Sequence, residues 1–115
     1  MTMTIENFLE KLKNTPAEMD FNELMELVDT HYDFTEAAFD NGDLHNAAGE
    51  NSGSCKLFSF AKLNGLSEEQ ALDCFGIYYR DDVLKNPDAD NHQNIRNFMK
   101  TGWSGIKFDG EALSS

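Results

Sequence analysis

The chain has 115 residues, with 21 acidic side chains against nine basic ones and a net charge of −12. It is 40% hydrophobic and 11% aromatic with nine Phe, enough apolar material for one core and too much for intrinsic disorder. So negative a field repels phosphate backbones, and no apolar run approaches the roughly 18 residues of a membrane helix, so neither nucleic acid nor membrane is an expected partner.

Ile5, Phe8, Leu9 and Leu12 fall at i, i+3, i+4 and i+7 and predict a first helix, ended near Asn14 by Pro16. Glu6, Glu10, Lys11 and Lys13 interrupt that stretch, which is not the apolar run of a signal peptide. Thr15, Pro16 and Glu18 can form a short capped turn. Asp20 with Glu23 opens a second helix striped by Phe21, Leu24, Met25 and Val28 and ending near His31. Tyr32 to Thr35 alternates apolar and polar, a strand pattern, and Asn41-Gly42 is a tight-turn signal. Residues 36–39 are compatible with either strand or helical turn.

Residues 46–54 are small and polar and read as a loop feeding a third helix, Cys55–Leu63, apolar on most sides and therefore central. Ser67 and Gln70 make a capping box for a fourth helix, whose face continues through Leu72, Phe75, Tyr79 and Val83. Asp90 with Gln93 opens a fifth, striped by Ile95, Phe98 and Met99 and stopped at Gly102. Residues 105–109 read as a short strand, and the last residues are expected to fray. The fold class is α+β: about five helices around one core, with a small two- or three-stranded antiparallel sheet in a single domain spanning the chain.

Residues 1–50 carry 12 acidic side chains against Lys11 and Lys13, a net of −10, whereas residues 51–115 carry nine against seven, a net of −2. An acidic surface of this kind keeps a small protein soluble and could also dock on a basic protein partner. An anionic ligand belongs in the second half. There, Gly49 to Lys56 combines glycines, Ser52, Ser54 and Lys56 at a helix start, the recipe of an anion-binding nest, although the spacing is not that of a P-loop. If that loop needs a positive φ at Gly53, Gly53→Ala should cost more than the roughly 1 kcal/mol usual for surface changes. His92 and Arg96, four apart, share a helix face. A polar recess between residues 49–56 and 92–100, with Asn51, Ser52, Ser54, Lys56, His92 and Arg96 as ligand-binding residues, is the leading site. It is set against ordinary helix capping and a solvated face.

Cys55, beside Lys56 in a first helical turn, is the alternative: a nucleophile with His45 or His92 as base, expected to alkylate before the core residue Cys74. Asp88, Asp90 and His92 could gather ligand atoms, but the three His lack the spacing of a zinc pair, and no metal or cofactor is assigned.

The runs Asn46-Ala-Ala-Gly-Glu-Asn-Ser-Gly-Ser-Cys-Lys56, Phe75-Gly-Ile-Tyr-Tyr-Arg-Asp-Asp-Val-Leu-Lys-Asn-Pro87 and Asp90-Asn-His-Gln-Asn-Ile-Arg-Asn-Phe98, with Gly102-Trp103, resemble the HopJ type III effector family. The resemblance covers about Phe21 to Phe108. It implies kinship with proteins that plant-pathogenic bacteria deliver through type III secretion, and it carries no catalytic residue to any position. Type III substrates usually begin with a mobile, Ser-rich leader. A helix starting by Thr4 favours instead a relative that works in the cytoplasm of its own cell, where two thiols stay reduced.

Overall fold

The computed structural model describes residues 4 to 114. Helix α1 (Ile5–Asn14) is capped by Thr4, whose Oγ1 accepts the Asn7 N–H at 3.0 Å, and its stripe buries Phe8 and Leu12. Pro16 opens a single 3₁₀ turn, Pro16–Glu18. Asp20 caps α2 (Phe21–His31), and the expected box partner Glu23 instead accepts Lys11 at 3.0 Å, tying α2 to α1.

Of residues 36–39, compatible in sequence with strand or helical turn, Glu36, Ala37 and Ala38 belong to neither and only Phe39 enters a strand. β1 (Asp33–Phe34) is followed by a hairpin, β2 (Phe39–Asn41) and β3 (Leu44–Asn46), turned on Gly42 at φ 61. Asn-Gly predicts this turn because the tight connection needs the positive φ that glycine adopts freely. β4 (Ile106–Phe108) lies antiparallel on the other side of β2, giving the order β3-β2-β4. Where fraying was expected, β5 (Leu113–Ser114) pairs antiparallel with β1; Ser115 lies outside the described residues.

Helix α3 (Ser52–Leu63) starts three residues earlier than its apolar pattern implies and is central as expected, with Leu57, Phe58, Phe60 and Ala61 fully buried. Leu63 is the exception and faces solvent. The capping box of α4 (Glu68–Asp73) is present, with Ser67 Oγ accepting the Gln70 N–H at 3.1 Å and Gln70 Oε1 accepting the Ser67 N–H at 3.0 Å. Yet α4 does not run to Val83. It breaks at Gly76 (φ 63), which lies so close to the start of α2 that a methyl there would meet the Met19 carbonyl oxygen at 2.9 Å. The chain resumes as a π-helical segment, Tyr78–Val83, which keeps Val83 buried and Tyr78 and Tyr79 against the core.

Helix α5 (Gln93–Thr101) opens after His92, not at Asp90; the Asp90 carbonyl instead accepts the Gln93 side-chain amide. Ile95 and Phe98 are buried, whereas Met99 is half-exposed. Gly102 ends α5 and a 3₁₀ turn, Gly102–Gly105, leads into β4. At the centre, the Phe58 ring meets Phe39, Phe75, Phe98 and Trp103 at centroid distances of 4.9 to 6.3 Å, locking hairpin, α3 and α5 together.

Candidate functional site

Asn51 (φ 50) and His92 (φ 52) are the non-glycine residues with left-handed backbone among those described. Asn and His are among the side chains that tolerate this region best. Each directly precedes a helix, α3 and α5 respectively, and neither supplies a side-chain cap. The first-turn N–H groups of Gly53, Ser54, Gln93 and Asn94 thus sit where a helix has no acceptor of its own and where its dipole is positive.

Both starts open onto one recess of about 570 Å³, bordered by Asn51, Gly53 and Ser54 on one side and His92, Gln93, Asn94 and Ile95 on the other. Phe21, Phe75 and Tyr78 form an aromatic wall, and Leu44 joins from the hairpin. Phe21 stacks parallel to Phe75 at 5.9 Å and meets Tyr78 edge-on at 5.6 Å. His92 is steadied by Asp82 on the π-helical segment, Nε2 to Oδ2 3.1 Å, and by the Tyr78 ring 5.4 Å away.

Behind the recess lies an amide network. Asn94 and Asn46 bond reciprocally, Nδ2 of each donating to Oδ1 of the other at 3.1 and 3.2 Å. Asn51 Nδ2 donates to Asn46 Oδ1 at 2.6 Å, and Asn41 Nδ2 donates to the Asn94 carbonyl and Oδ1 at 2.7 and 3.0 Å. Asn41, Asn46 and Asn94 are all buried, so each lost partner strands a donor or acceptor away from water. Asn94→Ala is expected to lower stability by about 2 kcal/mol, read as a shift in the urea midpoint, and to loosen Asn51 at the mouth of the recess. These asparagines escape a search for charged or nucleophilic side chains. Their positions are nevertheless informative: Asn94 lies four residues before Phe98 on the buried face of α5, and Asn41 two after Phe39 on the inward side of β2.

Of the residues singled out from sequence, Asn51, Ser54 and His92 do meet at the recess. Ser52 stands just outside the lining, its Oγ donating to the Gly49 carbonyl at 3.4 Å. Lys56 does not join them: it pairs with Asp29 at 2.8 Å and stands 4.9 Å over the Phe34 ring. Arg96 is also diverted, donating to the carbonyls of Asn86, Pro87 and Asn91. The recess is therefore lined without the two expected cations.

Gly53 is helical and needs no positive φ. What it needs is space, since a methyl there would stand 2.8 Å from Phe21 Cζ. In Gly53→Ala the gain in helix propensity, about 1 kcal/mol, opposes the displacement of Phe21, so the unfolding midpoint should barely move. The Phe21 ring resonances, by contrast, should shift and the recess should narrow.

Cys55 is closed off. It is 1% exposed, its Sγ donates to the Ala37 carbonyl at 3.7 Å, and burial raises its pKa rather than favouring the thiolate. His45 is held by Asp40 at 2.6 Å out on the hairpin, and that hydrogen bond raises its pKa. The expected fast alkylation of Cys55 gives way to slow labelling of both thiols, limited by opening of the chain. Burial pushes Cys74 from 9.0 up to about 12. On raising the pH the unfolded chain releases these protons first, so the stability that the neutral thiols hold below pH 9 is lost as the pH climbs through about 12. Urea unfolding of Cys74→Ala should show a shallower loss over that window than the parent chain.

Three comparisons bear on identity. A family model described as HopJ type III effector protein matches residues 5–113. A crystal structure titled as the unknown function protein VPA0580 superimposes with a TM-score of 0.97 at 50% sequence identity, covering 99% of this chain and 95% of that one. No curated protein matches. With residues 5–113 matched by that family model, and the fold shared with a solved relative that is identical at half the positions, this protein belongs to the HopJ type III effector protein family.

Proposed function

We propose that this HopJ-family protein is a small binding protein whose recess between the starts of α3 and α5 takes a ring-bearing carboxylate. The observation that carries the reading is the convergence of two uncapped helix starts on a recess whose lining contains no Lys, Arg, Asp or Glu. Backbone N–H groups at helix starts donate readily to a carboxylate, and Phe21, Phe75 and Tyr78 offer faces and edges to a planar body. A multiply charged phosphate fits less well, because a chain of net charge −12 repels it and no side-chain cation lines the recess to offset that.

Among the described residues no helix is long and apolar enough to cross a membrane. The family description names type III effectors, and the proposed place of action is a cell interior, the bacterium's own or that of a host after delivery. A reporter fusion expressed with and without a type III apparatus separates the two.

Calorimetric titration with phenylacetate, benzoate and indole-3-carboxylate, beside inorganic phosphate and phenylethanol, tests the ligand class. Saturable binding of at least one ring-bearing carboxylate, weaker for phosphate and for the alcohol, is expected. Equal binding of phosphate, or no saturable heat from any of them, would overturn the reading.

A further inference from the structure

Arg96 is only 8% exposed, yet among the described residues no carboxylate stands at salt-bridge distance from it. Its bonds go to neutral acceptors: Nε to the Asn91 carbonyl at 2.6 Å, Nη1 to the carbonyls of Asn86 and Pro87 at 2.9 and 3.3 Å, and Nη2 to Asn91 Oδ1 at 2.7 Å. A guanidinium has five N–H donors, so one proton on Nη2 and the full unit charge are left over. Buried charges are otherwise paired, and a chain with 21 acidic residues has carboxylates to offer.

Arg96 also lines a second cavity of about 420 Å³, between α5 and the segment after the π-helical turn, within the usual size range for small-molecule sites. Val83, Leu84 and Met99 give it an apolar lining, Lys100 adds a second positive charge, and Asp90 is the one acid. Two cations against one carboxylate leave it locally positive in a strongly negative chain. Leu84 and Met99, at its lip, are 49% and 45% exposed. Gln93 borders both this cavity and the recess described above, but Arg96 and Lys100 border only this one.

We propose that this groove binds a medium-chain aliphatic monocarboxylate, its carboxylate on Arg96 and Lys100 and its chain along Val83, Leu84 and Met99. The ligand supplies the counter-ion that the fold leaves out, and its tail covers the apolar lip.

The test is an NMR titration of the full chain, labelled at the Leu and Met methyls and at backbone amides, with octanoate, octanol and acetate. Octanoate should shift Leu84 and Met99 saturably and bind about tenfold or more tighter than octanol, the margin of one charge-assisted contact, while acetate should fail for want of a tail. Met99→Glu, a change at a half-exposed position that should leave the thermal midpoint near the parent value, should weaken octanoate by a similar factor through like charge. Equal affinity for octanoate and octanol, unchanged binding by Met99→Glu, or octanoate shifts confined to the amides of Gly53 and Ser54 would each overturn the proposal.

Discussion

Phe58→Ala is expected to lower stability by about 4 kcal/mol, the upper range for emptying an aromatic site in a core. The ring is fully buried and contacts four others, Phe39 from β2, Phe75 from the turn after α4, Phe98 from α5 and Trp103 beyond it. These neighbours are fixed by separate elements, so they cannot collapse together into the space. For a domain of this size the loss corresponds to a fall of roughly 20 °C in the thermal midpoint. Phe58→Leu, which keeps much of the volume, should lose less than half as much. Equal effects for the two substitutions would mean that the site relaxes, and that the ring cluster does not hold the elements in register.

Gly102→Ala should cost about 3 kcal/mol for two separable reasons. Gly102 ends α5 at φ 60, ψ −153, a backbone region essentially restricted to glycine. A methyl there would also run into the Glu68 carboxylate, which is held in place by accepting the Trp103 N–H at 3.0 Å. The turn swings Trp103 onto the start of α4, where its Nε1 donates to the Leu66 carbonyl at 3.0 Å. Adding Glu68→Ala to Gly102→Ala should relieve the collision and leave the backbone strain, recovering part of the loss in urea unfolding. Gly110→Ala is the control: nothing lies near its added methyl and its φ is not positive, so its midpoint should stay put.

The helices of the first half, the Ser67–Gln70 box and the hairpin turn were legible in sequence because each is decided by residues within four positions of one another. The elements that were misread are decided at long range. Leu72, Phe75, Tyr79 and Val83 keep helical spacing straight through Gly76, so the apolar pattern hides the break and the glycine is its one local sign. What requires a glycine there is the close approach of the Met19 carbonyl, 57 positions earlier. β5 exists only because β1 offers it an edge. The candidate site divides the same way. The two loop–helix junctions were visible as small, polar runs before apolar ones, and they do come together. The fate of their cations was not visible, since Lys56 is claimed by Asp29 on α2 and Arg96 by carbonyls of residues 86–91. Cys55 looked reactive from its neighbours in sequence, and the packing of α3 at the centre of the fold buries it.

An amide-resolved NMR titration with phenylacetate tests the central claim most directly. The backbone N–H groups of Gly53, Ser54, Gln93 and Asn94 should shift along one common saturation curve, together with the rings of Phe21 and Tyr78. In Gly53→Ala, where the methyl displaces Phe21, the same curve should move to higher ligand concentration. Shifts that spare all four amides, or that gather instead around Lys56 and Lys107, would contradict a site made by two helix starts.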